Sequence, residues 1–148
     1  MISLDSPYAA QVRLLVRLLP VVARAECFAL KGGTAINLFI RDMPRLSVDL
    51  DLVFPDHRLP RDQALARIGE SLQQSAERLK ARGFQVRLQA AADAAETKLL
   101  VRRGPIEVKI EVNFVMRGTV RPVRPVRRAG LLSRARDVLL ADLEIPVV

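Results

Sequence analysis

The sequence predicts an α+β fold in which a mixed β-sheet is flanked by helices. Apolar residues recur at helical spacing in two segments, 7–25 and 61–82, and alternate with polar residues in 46–54, 84–90 and 106–115. The chain has 148 residues, so we expect a single domain over 1–148. Half of the residues are hydrophobic, which is enough to fill a core made mostly of Leu, Val, Ile and Ala.

The overall charge allows two interpretations. The formal net charge is +8, from 24 Lys and Arg against 16 Asp and Glu. Such a surface suits a polyanion such as RNA, DNA, a nucleotide or an acidic protein. A solvated, arginine-rich surface explains the same charge equally well. Because no apolar run approaches the length of a membrane span and the N-terminus has no signal-peptide pattern, we expect a cytoplasmic protein.

The single cysteine and the single histidine exclude some kinds of site. Cys27 cannot form an intramolecular disulfide, and the sequence allows no cysteine-based metal site. Cys27 lies in an apolar run, which predicts a core residue. His57 follows Pro55 and Asp56 in a turn-like stretch, which predicts a surface loop rather than a catalytic role.

Two long helices are predicted from their apolar stripes and their end residues. Pro7 suits the first turn of a helix over 7–25, and Pro20 predicts a kink or a break inside it. A second helix is predicted over 61–82, and Gly83 stands where a C-terminal capping glycine belongs.

A glycine turn follows the first predicted strand, 27–31. Gly32 and Gly33 permit positive φ and a close approach of the backbone to a ligand. Thr34 is expected to cap a helix over 35–42. The free amide groups at the start of that helix would suit a phosphate, but most turns of this composition are only structural.

The strand predicted over 46–54 carries two acids on one side. Its alternation places one set of residues together, Ser47, Asp49, Asp51 and Val53. Carboxylates at i and i+2 leave the backbone about 7 Å apart and can converge on one cation. On a core strand the two charges repel and lose solvation, which a divalent cation would relieve. On a wet edge strand the same pair would be harmless, so the spacing alone leaves both interpretations open.

A later hairpin carries a second acidic face. Strands are predicted over 96–103 and 106–115, and Gly104-Pro105 forms the turn between them. One side of the second strand carries Glu107, Lys109, Glu111 and Asn113. If this strand neighbours the strand with the two aspartates, three carboxylates surround one point, and a metal ion would be needed to balance them.

The C-terminal third is rich in proline and arginine. Segment 116–130 is expected to be an extended edge or a loop, serving either as a polyanion contact or as a solubilising arm. Residues 131–148 are expected to hold a short helix or strand and then a final strand in the sequence LEIPVV.

The glycine turn and the two acidic strands together resemble a known family. Lys31-Gly32-Gly33-Thr34-Ala35, followed by Arg45-Leu46-Ser47-Val48-Asp49-Leu50-Asp51-Leu52, is similar to the first motif of the AbiEii/AbiGii nucleotidyltransferase-like toxins. These toxins belong to the DNA polymerase β-like nucleotidyltransferase superfamily. Its general signature is a glycine turn that opens a helix, Asp-x-Asp on the next strand and a third acid on a later strand. All three parts occur here in order, over about the first 115 residues.

The resemblance implies roles for individual residues. The metal ligands and catalytic acids would be Asp49, Asp51 and Glu111, with Glu107 as the alternative third acid. The turn that meets the triphosphate would be formed by Gly32, Gly33 and Thr34. Phosphate or the aspartates would be positioned by Lys31, Arg45, Ser47 and Lys109.

The resemblance also implies a reaction and partners. Two Mg²⁺ ions would assist transfer of a nucleotidyl group from a nucleoside triphosphate to a hydroxyl of RNA, tRNA included, or of protein. The protein would be the toxin of a toxin–antitoxin or phage-defence system, with an antitoxin as partner. Family members continue into a helical part with a Lys and an Arg-Asp-x-x-Asp motif, which we do not find here, so we expect the chain to lack that part. The alternative is an inactive or truncated module that binds nucleotide, RNA or an antitoxin.

Overall fold

The computed structural model describes residues 6–36, 48–90, 96–113, 122–127 and 144–147. Three helices lie within these ranges: α1 (Pro7–Val22), α2 (Gly32–Ala35) and α3 (Arg61–Ala81). The strands there are β1 (Ala29–Lys31), β2 (Leu50–Val53), β3 (Gln85–Ala90), β4 (Glu96–Arg103), β5 (Ile106–Asn113), β6 (Arg124–Arg127) and β7 (Glu144–Val147).

The described strands form one mixed sheet in the order β3-β4-β5-β2-β1-β7-β6. The pairs β2–β5 and β1–β7 are parallel, and the other neighbours are antiparallel. The predicted α+β class with a mixed sheet is therefore confirmed. The sheet also brings β2 and β5 side by side, although 52 residues lie between Val53 and Ile106 in the chain. This intervening segment contains α3, β3 and β4.

One face of the sheet forms the hydrophobic core. Val108, Ile110 and Val112 of β5 are buried in the same cluster as apolar residues of α1 and α3. The alternate residues of β5 point to the opposite face, because successive side chains of a strand alternate. The charged residues of β2 and β5 therefore share the face that the two long helices leave open.

Helix α1 continues through its proline. Ser6 caps its start by accepting a hydrogen bond from the Ala9 amide at 3.1 Å, and Pro7 occupies the first turn. The helix includes Pro20 and ends at Val22, so of the predicted kink or break the break does not occur, and the predicted end lay three residues too late. Pro20 is close to the end of the helix, and its neighbours Leu19 and Val21 are buried, so packing holds this turn despite one missing amide.

Helix α3 ends as its sequence predicts, one residue earlier than expected. Gly83 has φ +83° and donates its amide to the Lys80 carbonyl at 2.9 Å. The Phe84 amide reaches back to the Leu79 carbonyl at 3.2 Å, and the Phe84 side chain is buried. These two bonds form a Schellman motif, which stops the helix and starts the approach to β3.

The glycine turn differs from the prediction. Helix α2 begins at Gly32, and Lys31 stands at the capping position without a side-chain cap. Thr34 lies inside the helix, and its hydroxyl donates to the backbone carbonyl of Asp49. The predicted cap by Thr34 is therefore wrong, because positive φ at Gly32 turns the chain into the helix at once and frees the hydroxyl for a long-range bond. The predicted helix residues 37–42 lie outside the described part.

The remaining elements follow the predictions closely. β1 and β2 are shorter than predicted, and residues 46–47 lie outside the described part. The hairpin β4–β5 begins and turns where expected, and Gly104 has φ +59°. The proline- and arginine-rich segment contributes β6 at the edge of the sheet, and the final strand is β7. The element expected between 131 and 143 lies outside the described part.

Candidate active site

A row of four charged residues crosses the centre of the sheet. Asp51 of β2 is in register with Glu111 of the parallel strand β5. On the outer sides, Lys31 of β1 is paired with Asp51, and Lys98 of β4 with Glu111. The predicted meeting of the two acidic faces is confirmed, and the two carboxylates lie between two lysines.

Gly32 brings the backbone directly against Asp51. A Cβ atom at Gly32 would lie 2.7 Å from the Oδ2 atom of Asp51, closer than such atoms approach. Gly32 also has φ +75°, a conformation that side-chain-bearing residues rarely adopt. Both observations require glycine at this position. The predicted positive φ is confirmed for Gly32, and the close approach of the backbone to a ligand stays a prediction.

Two lysines bind the Glu111 carboxylate. The Nζ atom of Lys98 lies 3.1 Å from Glu111 Oε1, and the Nζ atom of Lys109 lies 2.8 Å from Glu111 Oε2. Lys109 also lies 3.7 Å from Asp49 Oδ2 and so connects two of the three predicted acids. The hydrogen bond that Lys109 donates to the Glu111 carboxylate raises the pKa of Lys109, which keeps this lysine charged.

Asp51 lies in a crowded, negatively charged environment. Its pKa is raised above the ordinary value, first by burial and then by the charges of Asp49 and Glu111. The positive charges of Lys31 and Lys109 act in the opposite direction but do not cancel the effect. A positive charge placed beside Asp51 would therefore be favourable.

Asp49 is held at the start of β2 by its backbone. Its carbonyl accepts a hydrogen bond from Thr34, whose side chain is buried. The Asp49 side chain is half-buried and reaches Lys109. β2 and β5 therefore bring the three predicted acids to one region of the sheet, with Lys109 between Asp49 and Glu111.

The composition of this cluster fits a hard divalent cation, but its present side-chain arrangement does not form a finished metal site. Within the described ranges, no three Asp, Glu, His or Cys side chains are grouped closely enough to hold an ion. The donors are all carboxylate oxygens, which Mg²⁺ prefers. Burial and then the neighbouring carboxylates raise the pKa of Asp51, and a positive ion beside it would oppose both effects. A bound cation would have to displace Lys109 from at least one carboxylate.

The structure separates the two candidates for the third acid by position. Glu111 lies beside Asp51, with its side chain 18% exposed. Glu107 is exposed and paired with Arg102, four residues along β5 and therefore about 13 Å from Glu111. Only Glu111 is near the two aspartates.

The other predicted residues divide into two groups. Lys31 lies opposite Asp51, and exposed Gly33 lies in the first turn of α2. Arg45 and Ser47 lie outside the described part.

The single histidine and the single cysteine lie away from the acidic cluster. His57 is exposed in a loop, as expected. Cys27 is half-buried against the core and donates to the Ser71 hydroxyl at 3.1 Å.

Lys98 is a site residue that the sequence analysis missed. A signal for it exists, because a two-residue turn at Gly104-Pro105 pairs Arg103 with Ile106 and fixes the hairpin register. Counting back from the turn by equal steps pairs Lys98 with Glu111. The register of a predicted hairpin therefore identifies a partner that the motif does not include.

The comparison with protein families now identifies the chain. The model described as "Nucleotidyl transferase AbiEii toxin, Type IV TA system" matches residues 13–148. The chain belongs to the AbiEii family. No curated protein and no solved structure matches it, so the family model alone supports this assignment.

Membership agrees with the architecture described above. The AbiEii chain has the α+β fold of a nucleotidyltransferase, and its family consists of toxins of type IV toxin–antitoxin systems. The family match begins inside α1 and includes every residue of the charged row. Among the described residues, no helix has the length and apolar character needed to cross a bilayer.

Proposed function

We propose that this AbiEii-family chain transfers a nucleotidyl group from a nucleoside triphosphate to a hydroxyl of RNA, such as tRNA, or of protein. The observation that carries the proposal is the in-register pair of Asp51 and Glu111 beside the Gly32 backbone. Two like charges on neighbouring strands destabilise a sheet, so their presence favours a function that uses them. The toxin activity would be controlled by an antitoxin partner.

A magnesium cofactor would be held by Asp49, Asp51 and Glu111. When bound, Mg²⁺ supplies positive charge for the triphosphate and for the negative charge that develops during transfer. Lys109 and Lys98 would then be free to leave Glu111 and contact phosphate oxygens, because ammonium groups bind such oxygens as point charges. Because Gly32 has no side chain, its backbone lies close beside Asp51, where the triphosphate would meet both.

The chemistry requires one bond exchange and one proton transfer. The acceptor hydroxyl oxygen forms a bond to the α-phosphorus, and the bond between that phosphorus and pyrophosphate breaks. The hydroxyl proton needs a base nearby. Glu111 would accept it, because its carboxylate is freed when Lys98 and Lys109 move to phosphate oxygens.

The test is transfer of label from α-labelled nucleoside triphosphates to total RNA and total protein. The wild-type protein is expected to label one of these fractions in the presence of Mg²⁺, and to lose the activity when the metal is chelated. The double variant Asp49→Asn/Asp51→Asn should be inactive, whereas Glu70→Gln, at an exposed carboxylate of α3, should remain active. If the wild-type protein labels nothing, also with the product of the adjacent gene present, the proposal is wrong.

The pairing of Glu111 with two lysines favours a second candidate function. Because Lys98 and Lys109 already balance its charge, the site can exist without metal. The chain would then be an inactive module that binds nucleotide, RNA or an antitoxin. Calorimetry separates the two functions, since the module binds nucleoside triphosphate with Mg²⁺ and releases no pyrophosphate.

A further inference from the structure

A second charged feature lies on the opposite side of the sheet from the acidic row. A cleft of about 170 Å³ opens between α1 and the turn end of the β4–β5 hairpin. It is lined by three arginines over an apolar floor, comprising Ala10, Arg13, Leu14, Arg17, Arg103 and Ile106. No carboxylate lines this cleft, so its charge is wholly positive.

The three arginines are not balanced by acids in the part of the chain that the structure describes. Arg13 and Arg17 are exposed and stand one turn apart on α1, where like charges destabilise a helix. The guanidinium of Arg103 lies 5.6 Å from the centre of the Phe84 ring, within the range of a cation–π contact. Three positive charges around one cleft attract an anion.

The cleft walls are joined by a long-range contact. The side-chain amide of Gln11 donates to the Glu107 carbonyl at 3.2 Å and so ties α1 to β5 beside the cleft. Leu14 of the floor is buried, and Ile106 is half-buried against the core. An anion in the cleft would therefore contact arginines above an apolar surface, where charge interactions are weakened less by water.

The size of the cleft limits its ligand. Pockets for small molecules usually measure about 300–1,000 Å³, so this cleft is too small for a whole nucleotide. A single phosphate that projects from a longer chain is a better match. The forked guanidinium groups bind phosphate oxygens bidentately.

Positive charge is not confined to the cleft. Exposed Arg24 lies in the turn two residues beyond the end of α1. The chain as a whole carries a formal net charge of +8. An excess of positive charge suits a polymer with a charge on every unit more than the occasional carboxylate of a protein segment.

We propose that Arg13, Arg17 and Arg103 bind a backbone phosphate of an RNA at a point remote from the acidic site. This deepens the proposed function, on which it rests, by giving the acceptor RNA a second contact. Ile106 lies five residues from Glu111 on β5, so the two regions are about 17 Å apart along the strand. No aromatic residue lines the cleft, so binding would not depend on base stacking or sequence.

The experiment measures binding of a fluorescein-labelled tRNA by anisotropy between about 50 and 200 mM salt. Arg13→Ala/Arg17→Ala is compared with Arg58→Ala/Arg67→Ala, which removes the same charge from exposed positions outside the cleft. The first pair should weaken binding about tenfold and reduce the salt slope by about 1.4–1.8, as expected for two lost phosphate contacts. The Arg13→Lys/Arg17→Lys variant should keep the slope but bind more weakly, and thermal melts should confirm that every variant is folded.

Two results would overturn the proposal. Equal effects of the two alanine pairs would mean that only overall charge matters. Unchanged RNA binding, with loss of binding to pyrophosphate or to polyglutamate, would assign the cleft to a free anion or to an acidic protein. Because binding is measured without turnover, a protein that binds RNA through the cleft but transfers no nucleotide contradicts only the proposed function.

Discussion

Asp51 and Glu111 face each other in register on two parallel strands, with the Gly32 backbone in contact with the first and two lysines on the second. Like charges in this position destabilise a sheet. The chain nevertheless places them on the two strands at the centre of its sheet.

Replacing Asp51 by Asn should stabilise the metal-free protein at neutral pH. Because its pKa is raised, Asp51 binds a proton more tightly in the folded protein than in the unfolded chain. Protonation of Asp51 therefore contributes its full stability below the ordinary pKa of 3.8, and this contribution is lost as pH rises through the folded-state pKa. Asn imitates the protonated form at every pH. Urea unfolding should show a gain of roughly 0.2–1 kcal/mol for Asp51→Asn near pH 7 that disappears in acid.

Glu70→Gln is the matched control, because Glu70 is exposed on α3. It should change the free energy of unfolding little at either pH. A loss of stability in Asp51→Asn at neutral pH would mean that Asp51 makes a favourable contact in the folded protein, contrary to the crowding argument.

Gly32→Ala should be worse than Gly83→Ala, although both glycines have positive φ. A side chain at Gly83 meets nothing, so Gly83→Ala should cost only the backbone penalty of about 1–2 kcal/mol. At Gly32 the added Cβ also collides with the Asp51 carboxylate. Urea unfolding should therefore give the larger loss for Gly32→Ala, and only this variant should lose nucleotide transfer. Equal losses would mean that the close approach at Gly32 is unimportant.

Lys109→Met should make the protein depend more strongly on Mg²⁺. Removal of the lysine leaves Asp49 and Glu111 without a shared positive partner, at a cost of roughly 0.2–1 kcal/mol for a partly exposed ion pair. Thermal melts should show a lower Tm without metal and a larger rise on adding Mg²⁺ than in the wild type. Lys80→Met, which removes an exposed ion pair with Glu77 on α3, should leave the Mg²⁺ response unchanged. The idea fails if both variants respond to Mg²⁺ alike.

Thr34→Val should destabilise the protein by roughly 1–2 kcal/mol, because the Asp49 carbonyl loses a buried hydrogen-bond donor. Thr34→Ser keeps the hydroxyl and should retain most of the stability in chemical denaturation. If the serine variant is as unstable as the valine variant, the methyl group rather than the hydroxyl matters at this position.

Local signals in the sequence predicted most of the fold. The alternation of β5, the Gly104 turn and the Gly83 cap each depend on a few adjacent residues, and all three were placed correctly. The helix does not break at Pro20, because tertiary packing holds it there, and the predicted cap by Thr34 is wrong, because its hydroxyl makes a long-range hydrogen bond to Asp49. Local pattern cannot reveal either effect.

The candidate site was predictable where it follows a motif and less so where it depends on register. Asp49, Asp51 and Glu111 were named from the sequence, but only the β2–β5 pairing places Glu111 rather than Glu107 beside them. Lys98 is placed opposite Glu111 by the register of the β4–β5 hairpin, which the sequence analysis did not use. The arginine cleft joins residues about 90 positions apart in the chain, so no local pattern indicates it.

The most direct test of the central claim compares Glu111→Gln with Glu107→Gln in transfer of labelled nucleotide. Both changes remove one carboxylate from the same face of β5, but only Glu111 adjoins Asp51. We predict that Glu111→Gln lowers the rate by about a hundredfold or more and that Glu107→Gln stays close to wild type. Equal activity of the two variants, or loss of activity in Glu107→Gln alone, would contradict the account.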